Sequence, residues 1–344
     1  MKRKIRFIVG FIAVAILMCS CGKGSSILNY YSPEADPAVN TISDSPITYA
    51  KGFASGIGVV SADAPNSEGS DKVNSEAAIL VDATNGTVLF QKNVHKKEYP
   101  ASTTKILTSL LALKYGDSKS SRKIGDEVLI TEDNVVMCDF RMGDTIPFDV
   151  IIHGALMMSG NDAAAALALF AADNLTDFAD LMNKEALELG ATESHFVNPH
   201  GLYDDNHYST AYDMYLIFNE AIKYDEFIDV ISTKQYASSF IRKTAYGEYT
   251  IACTYKNTNR YVNRERKAPE NIKVIGGKSG FTEVAKRSYV MLAESGGHRY
   301  IMVIMRSDSL DTVYDDLDYL MSLIPVSDLS LIHISEPTRL RCIS

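Results

Sequence analysis

Short apolar runs near the start of the patterned part of the chain predict a β-hairpin. Residues 77–81 and 87–90 are β-rich, and the turn between them contains Asn85 and Gly86. Such a turn needs positive φ angles, which glycine adopts freely and asparagine tolerates. We therefore expect two antiparallel strands here.

A second pair of apolar runs lies near the other end of the chain. Residues 288–293 and 300–305 are almost continuously apolar, and Gly296 and Gly297 stand in the turn between them. Unbroken runs of this kind are typical of strands that are covered on both faces.

The middle of the chain has helical patterns, over residues 106–113, 148–158, 162–172 and 211–222. Strands at both ends with helices between them predict the α+β class. We expect one antiparallel sheet built from both chain ends, with a helical subdomain packed on it.

The N-terminal residues do not fit this domain. Residues 1–20 combine four basic residues with an apolar run from Phe7 to Cys19. That run is short for a membrane span of about twenty residues and typical of a signal peptide. The sequence around Cys21 resembles a bacterial lipoprotein cleavage box, so Cys21 is the expected lipidation site. An uncleaved anchor helix is the alternative; both interpretations predict an extracytoplasmic protein at the bacterial cell membrane, facing the cell wall.

Two further segments lie outside the predicted domain, which should cover residues 75–326. Residues 21–74 are rich in Ser, Pro, Asp, Asn and Gly and lack an apolar period, which predicts a flexible linker. Residues 329–344 resemble a translated sequencing adapter, so we expect a non-native tail there. A genuine short tail is the alternative.

Composition and charge exclude some function classes. The 344 residues include 34 basic and 43 acidic ones, a net charge of −9. Nucleic-acid binding needs a positive surface, so no nucleic-acid partner is expected. The five cysteines form no C-x-x-C pair, and no histidine stands at zinc-finger spacing. Neither a structural zinc site nor a disulfide framework is therefore indicated.

A Ser-x-x-Lys motif contains the first candidate chemistry. Ser102 and Lys105 lie three residues apart at the start of a predicted helix. This spacing puts both side chains on one face, where the amine can reach the hydroxyl. Alone the motif is weak, because Ser120 and Lys123 match it in a polar loop. A helix cap with a surface lysine is the simpler interpretation of a single match.

Two more short motifs follow. Ser159 and Asn161 lie between two helical segments, where they could equally form a turn that caps the second helix. Lys278, Ser279 and Gly280 come immediately ahead of a strand pattern. They form either an exposed loop or an edge strand whose backbone pairs with a peptide-like substrate.

Together, and in this order, Ser-x-x-Lys, Ser-x-Asn and Lys-Ser-Gly are the signature of penicillin-recognising serine acyl enzymes. Their separations, with further matches at 196–202 and 207–214, resemble the D-alanyl-D-alanine carboxypeptidases, the low-molecular-weight penicillin-binding proteins. The resemblance covers roughly residues 75–325. It implies a serine DD-peptidase domain with the β-lactamase/penicillin-binding transpeptidase-like fold.

The resemblance also implies a mechanism. Ser102 would attack the carbonyl between the two terminal D-alanines of a peptidoglycan pentapeptide, expel D-alanine and leave an acyl-serine that water hydrolyses. β-Lactam antibiotics would acylate the same serine. Lys105 would be the base, its pKa lowered by burial and by a second cation, Lys278. Ser159 would pass a proton to the leaving amine, and Asn161 would hold Lys105 and the substrate amide.

The third motif would bind substrate. The backbone N–H groups of Phe281 and Ser102 would form the oxyanion hole. The side chains of Lys278, Ser279 and Thr282 would face the substrate carboxylate. The complete expected substrate-binding set is Lys278, Ser279, Gly280, Phe281 and Thr282.

The chain departs from the family pattern in ways that affect carboxylate binding. Ser279 stands where the family usually has threonine, which keeps the hydroxyl. Val313 stands where the family commonly has the arginine that binds the terminal carboxylate. Arg287 and Arg306 are the two candidates to replace it.

Other functions remain as alternatives. His195, His200 and His207 lie in a loop-rich stretch without metal-ligand spacing, so we expect loop and capping contacts, and neither a metal nor another cofactor. A β-lactamase of the same fold would need a carboxylate that activates the deacylating water, and no convincing Glu-x-x-Leu-Asn segment lies between the second and third motifs. A catalytically silent cell-wall-binding homologue is the other alternative.

Overall fold

Nine strands lie in residues 57–325, the part of the chain that this computed structural model describes. They are β1 (Ala77–Asp82), β2 (Thr87–Lys92), β3 (Ser121–Lys123), β4 (Thr145–Pro147), β5 (Gln235–Thr244), β6 (Gly247–Lys256), β7 (Lys273–Thr282), β8 (Lys286–Ser295) and β9 (His298–Ser307).

Seven α-helices accompany the strands within the same range. They are α1 (Lys105–Tyr115), α2 (Phe148–His153), α3 (Asn161–Ala168), α4 (Leu175–Glu188), α5 (Ala211–Ala221), α6 (Asp225–Ser232) and α7 (Leu310–Ser322). Short 3-10 turns cover Ser70–Lys72, Ala101–Thr104 and Asp126–Val128, and a π turn covers Gly154–Met158.

Both predicted hairpins contribute to one five-stranded antiparallel sheet, in the order β2-β1-β9-β8-β7. Gly296 and Gly297 connect β8 to β9 with φ angles of 57° and 82°, in the left-handed region that favours glycine. The first hairpin therefore pairs with the last one, through β1 and β9, as expected. β7 is its last strand, and no strand of residues 57–325 pairs with its outer edge.

The central strands are buried on both faces. In β1, Ile79 and Val81 pack into a large apolar core with α1 and α5, whereas Ala78 and Leu80 pack into a second core with α7. Successive side chains of a strand point to opposite faces, so an unbroken apolar run fills both cores. The α+β prediction is confirmed.

The hydrophobic pattern does not predict the second sheet, which has four strands in the order β3-β4-β5-β6. In β5 only Phe240 and Arg242 are buried. A strand that buries a single apolar side chain has no apolar period, so its sequence resembles a loop.

The helical pattern predicts that a helix is present better than it predicts where that helix begins and ends. The segment predicted over 148–158 is helical only to His153 and then widens into the π turn. The segment predicted over 162–172 begins at Asn161 and ends at Ala168. Three helices, α4, α6 and α7, are missing from the prediction; α7, for example, mixes its apolar residues with four aspartates.

The described part of the predicted linker packs on the domain. Gly58 N donates to the hydroxyl of Tyr215 in α5 at 2.8 Å. In α7, the Asp316 carboxylate accepts hydrogen bonds from Asn74 N at 2.9 Å and Ser75 N at 2.8 Å. Because these backbone groups find buried partners, the folded region begins before residue 75, which corrects the linker boundary.

Several expectations concern residues outside the described range. These are the signal peptide over 1–20, the lipidation site Cys21, the linker up to residue 56 and the tail over 329–344. Among the helices of residues 57–325, none is both long and apolar enough to cross a membrane.

Asp316→Ala should destabilise the domain by about 1–3 kcal/mol, because the N–H groups of Asn74 and of the buried Ser75 would lose a charged acceptor. The matched control is the neighbouring Asp315, whose side chain is 66% exposed and pairs with Arg266. Asp315→Ala should cost less than about 1 kcal/mol. Urea unfolding measures both; equal losses would show that Asp316 does not anchor residues 74–75.

Candidate active site

The turn before α1 presents Ser102. Residues 101–104 form a 3-10 turn, so Ser102 precedes the regular helix that the sequence predicted at this point. Ala101 has a φ of 49°, an uncommon value for a residue with a Cβ. Strain of this kind persists only where neighbouring structure imposes it. The Ser102 side chain that follows is half-buried.

Lys105 is the first residue of α1 and is completely buried. Its Nζ lies 3.0 Å from Ser102 Oγ, 2.9 Å from Asn161 Oδ1 and 2.7 Å from the backbone oxygen of His200. An ammonium could donate to all three, but a neutral amine has only two N–H groups and one lone pair. The two carbonyl oxygens cannot donate, so the lone pair of the neutral amine must face the Ser102 hydroxyl.

The surroundings favour the neutral amine. Burial holds the pKa of Lys105 well below its ordinary value, and the positive charge of Lys278 lowers this pKa further. Burial also lowers the pKa of Lys278, to about 7. Lys105 can therefore accept a proton at a pH where an exposed lysine could not.

Ser159 and Asn161 lie at the junction of the π turn and α3, where they contact Lys278 and Lys105. Ser159 has a φ of 65°, in the left-handed region, and its Oγ accepts a hydrogen bond from Lys278 Nζ at 2.9 Å. Asn161 Nδ2 donates to Val136 O at 3.1 Å. Because that bond fixes the side-chain amide, Asn161 Oδ1 faces Lys105.

A buried carboxylate holds the loop that bears Val136. Asp162 accepts hydrogen bonds from Cys138 N at 2.8 Å and Phe140 N at 3.0 Å. Burial nevertheless raises the pKa of Asp162. Sequence motifs do not reveal this contact, because the residues that bind Asp162 do so through the backbone.

The third motif lies within β7 rather than ahead of it, at the edge of the sheet. Lys278 is 1% exposed, and its Nζ also donates to Ser279 O at 2.7 Å. A Cβ at Gly280 would lie 2.7 Å from Pro100 O and 3.1 Å from Thr103 N. Only glycine therefore lets β7 approach the Ser102 turn this closely.

The remaining predicted residues of β7 lie towards its outer end. Phe281 is 50% exposed. Thr282 Oγ1 accepts a hydrogen bond from Ala285 N at 3.0 Å, so this oxygen stabilises the turn to β8. The hydroxyl of Ser279 lies 3.4 Å from that of Thr258, which the sequence motifs do not indicate.

The three histidines make loop contacts. His207 Nε2 lies 2.8 Å from Thr104 Oγ1, and His200 Nδ1 accepts a hydrogen bond from Leu202 N at 3.2 Å. Burial lowers the pKa of His200 to about 3 and that of His207 to about 4. His195 Nδ1 lies 2.6 Å from Asn206 O. Residues 57–325 contain no group of three or more His, Cys, Asp or Glu side chains arranged to hold a metal ion.

The structure thus brings together five of the predicted residues in two linked hydrogen-bonded groups. Ser102, Lys105 and Asn161 form one group, and Ser159 and Lys278 form the other. The electrostatic effect of Lys278 on Lys105 couples the two groups. The cluster combines a hydroxyl, an uncharged amine and a second proton donor, which is what acyl transfer to serine requires.

Comparison with known proteins points to the same chemistry. A family model described as D-alanyl-D-alanine carboxypeptidase matches residues 62–309. D-Alanyl-D-alanine carboxypeptidase DacF of Bacillus subtilis is 32% identical over 233 residues, covering 67% of this chain and 56% of the relative. DacA of Escherichia coli K12 is 33% identical over 247 residues, covering 69% of this chain and 57% of the relative. This chain therefore spans little more than half the length of these curated relatives.

The fold has solved counterparts. The crystal structure of the Streptomyces K15 DD-transpeptidase is similar, with a TM-score of 0.66 and 26% sequence identity. The similarity covers 73% of this chain and 97% of that one. The penicillin-binding-protein fold expected from the motifs is confirmed.

Gly280→Ala should destabilise the domain by about 1–3 kcal/mol, because the new methyl group would collide with Pro100 O. Gly143 is the control: its φ of 94° makes alanine strained, yet a Cβ there would meet no atom within 4 Å. Gly143→Ala should therefore cost only backbone strain, about 1 kcal/mol. Urea unfolding reports both values. If Gly280→Ala unfolds like the parent protein, the close approach of β7 is not a constraint.

Proposed function

The chain belongs to the D-alanyl-D-alanine carboxypeptidase family, and from this membership we propose that it removes the terminal D-alanine from peptidoglycan stem peptides. The observation that carries the proposal is the contact between Lys105 Nζ and Ser102 Oγ at 3.0 Å, inside a buried cluster where burial and the nearby Lys278 lower the pKa of Lys105. The substrate is a pentapeptide that ends in D-alanyl-D-alanine. β-Lactam antibiotics are proposed to acylate the same hydroxyl.

Acylation begins with proton transfer from Ser102 Oγ to the lone pair of Lys105 Nζ. The freed oxygen attacks the carbonyl carbon between the two D-alanines, and backbone N–H groups of Ser102 and Phe281 stabilise the resulting oxyanion. The C–N bond then breaks, and the leaving amine takes a proton from the Ser159 hydroxyl. Lys278, which donates a hydrogen bond to Ser159, replaces that proton.

Deacylation reverses these roles. The proton that Lys105 took from Ser102 first returns to Lys278 through solvent, which restores the lone pair of Lys105. A water molecule then loses a proton to Lys105 as it attacks the acyl carbon, and Lys105 gives this proton to Ser102 Oγ as the acyl C–O bond breaks. Asn161 keeps the Lys105 amine in place through both steps, because its amide orientation is fixed by Val136.

The free edge of β7 supports peptide binding. A substrate in extended conformation adds to this edge as an antiparallel strand, paired by backbone hydrogen bonds. With its scissile carbonyl at Phe281 N, the terminal residue of the substrate lies toward Ser279 and Lys278.

A carboxylate-dependent β-lactamase is less well supported. Within residues 57–325, the hydrogen bonds of Ser102, Lys105 and Lys278 lead to hydroxyl and carbonyl oxygens and to no Asp or Glu side chain. Without such a carboxylate, we expect the penicillin acyl-enzyme to hydrolyse slowly, so that penicillin traps the enzyme.

The location is proposed from the sequence. Residues 1–20 and the lipoprotein-type box at Cys21 support export and attachment to the membrane by a lipid on Cys21. The enzyme would then act on the cell wall from the outer face of that membrane.

Mass spectrometry tests the nucleophile. Penicillin G should leave one adduct on Ser102, and diacetyl-L-Lys-D-Ala-D-Ala should release one D-alanine. Ser102→Ala should abolish the adduct and slow D-alanine release by at least about 10³-fold, because no other hydroxyl of residues 57–325 forms a hydrogen bond with Lys105. Ser120→Ala is the matched control, since Ser120 occupies the second, exposed Ser-x-x-Lys match and bonds Asp117 O. An adduct that survives in Ser102→Ala, or none in the parent protein, would refute the assignment.

The acylation rate should follow a bell-shaped pH profile. The rate should fall at low pH as Lys105, whose pKa lies well below its ordinary value, becomes protonated and loses its lone pair. It should also fall above about pH 7, the pKa of Lys278, because a neutral Lys278 replaces the Ser159 proton poorly. Stopped-flow acylation with a fluorescent penicillin between about pH 5 and 10 measures both limbs. Lys278→Gln should remove the basic limb; an unchanged limb in that variant would exclude Lys278 as its source.

A further inference from the structure

We propose that Arg287 binds the terminal carboxylate of the substrate, in the role that the family commonly gives to an arginine at the position of Val313. This inference rests on the proposed function and adds a specificity residue to the same site. The evidence is the position of each candidate cation relative to β7.

Helix α7 cannot supply the missing charge at residue 313. Val313 is completely buried and packs in the apolar core between α7 and the sheet. A cation for the substrate carboxylate must therefore come from another element.

Lys278 is also unsuited to hold the carboxylate alone. It is 1% exposed, and its amine already donates to Ser159 Oγ and Ser279 O. A lysine with a pKa near 7 is only partly charged at neutral pH, whereas an arginine is always charged.

Arg306 is engaged elsewhere. Its Nη1 donates to Val284 O at 3.2 Å and lies 3.5 Å from Glu98 Oε2. The Glu98 side chain is 6% exposed, so moving the guanidinium toward a substrate would leave this carboxylate with less compensation.

Arg287 lies close to the substrate-binding end of β7, and within residues 57–325 no acidic side chain forms an ion pair with it. It pairs with Phe281 across β7 and β8, and Ser279 pairs with Tyr289 in the same register. Residues two apart in a strand share a face, so Arg287 is the diagonal neighbour of Ser279, within reach of a long side chain. Its guanidinium carbon lies 4.4 Å from the centre of the Phe281 ring. No Asp or Glu of residues 57–325 pairs with it, in contrast to Arg306.

These positions match the chemistry of the substrate end. When the scissile carbonyl is at Phe281 N, the terminal carboxylate lies beside Ser279, whose hydroxyl is 3.4 Å from that of Thr258. Two hydroxyls can donate to a carboxylate without balancing its charge. Arg287 supplies a planar, permanently charged group that binds both carboxylate oxygens, and stacking on Phe281 restrains it beside the edge of β7.

A pair of peptides tests the inference: diacetyl-L-Lys-D-Ala-D-Ala and the same peptide ending in D-alaninamide. The parent enzyme should prefer the free acid. Arg287→Gln should lower kcat/KM for the acid by about 10- to 100-fold, mainly through KM, and change that for the amide by less than about twofold. Arg287→Lys should recover part of the loss, because it keeps the charge but not the two-pronged geometry.

Arg306→Gln is the matched control, since it removes a neighbouring cation that this inference excludes. It should keep the ratio of acid to amide turnover. The inference is overturned if Arg287→Gln keeps the parent ratio, or if Arg306→Gln alone loses it; the proposed function then still stands. If the parent enzyme releases D-alanine or D-alaninamide from neither peptide, both the inference and the proposed function fail.

Discussion

The chemistry proposed for this protein depends on one buried amine that is surrounded by three acceptors. Lys105 is fully desolvated and touches a hydroxyl oxygen and two carbonyl oxygens, none of which carries a charge. A carboxylate in place of either carbonyl would favour the ammonium and remove the lone pair. The uncharged acceptors orient the amine without fixing its proton, which is the property a general base needs.

The backbone around Ser102 is arranged to create this environment. The Ala101–Thr104 turn is held between two glycines: a Cβ at Gly201 would lie 1.8 Å from Ala101 O, and one at Gly280 would lie 2.7 Å from Pro100 O. These contacts constrain the turn from β7 and from the loop that carries His200. The left-handed conformation of Ala101 is stored strain that this packing balances.

The sequence predicts the fold well where burial and periodicity agree, and poorly elsewhere. The five-stranded sheet is predictable because its central strands are apolar throughout, whereas β5 buries one apolar side chain and leaves no pattern. The three motifs identify the side chains of the cluster because their coincidence in one chain, in this order and at these separations, is improbable by chance. The carbonyl groups of His200 and Val136 escape prediction, because a backbone oxygen has no residue signature and its direction follows from the folded loop.

The position of Asp162 shows how an acidic protein keeps carboxylates away from Lys105, the proposed base. Asp162 directly follows Asn161, and its negative charge raises the pKa of Lys105. Its oxygens, however, accept hydrogen bonds from the backbone N–H groups of Cys138, Phe140 and Ala163. Those bonds turn the carboxylate toward the loop, and the amide of Asn161 stands in its place beside Lys105. Two adjacent residues thus have different roles: the charged Asp162 orders the loop, and the neutral Asn161 contacts Lys105. Exchanging the two side chains would place a carboxylate beside Lys105, favour the ammonium and remove the lone pair, so the proposed reactivity depends on this order of the two residues.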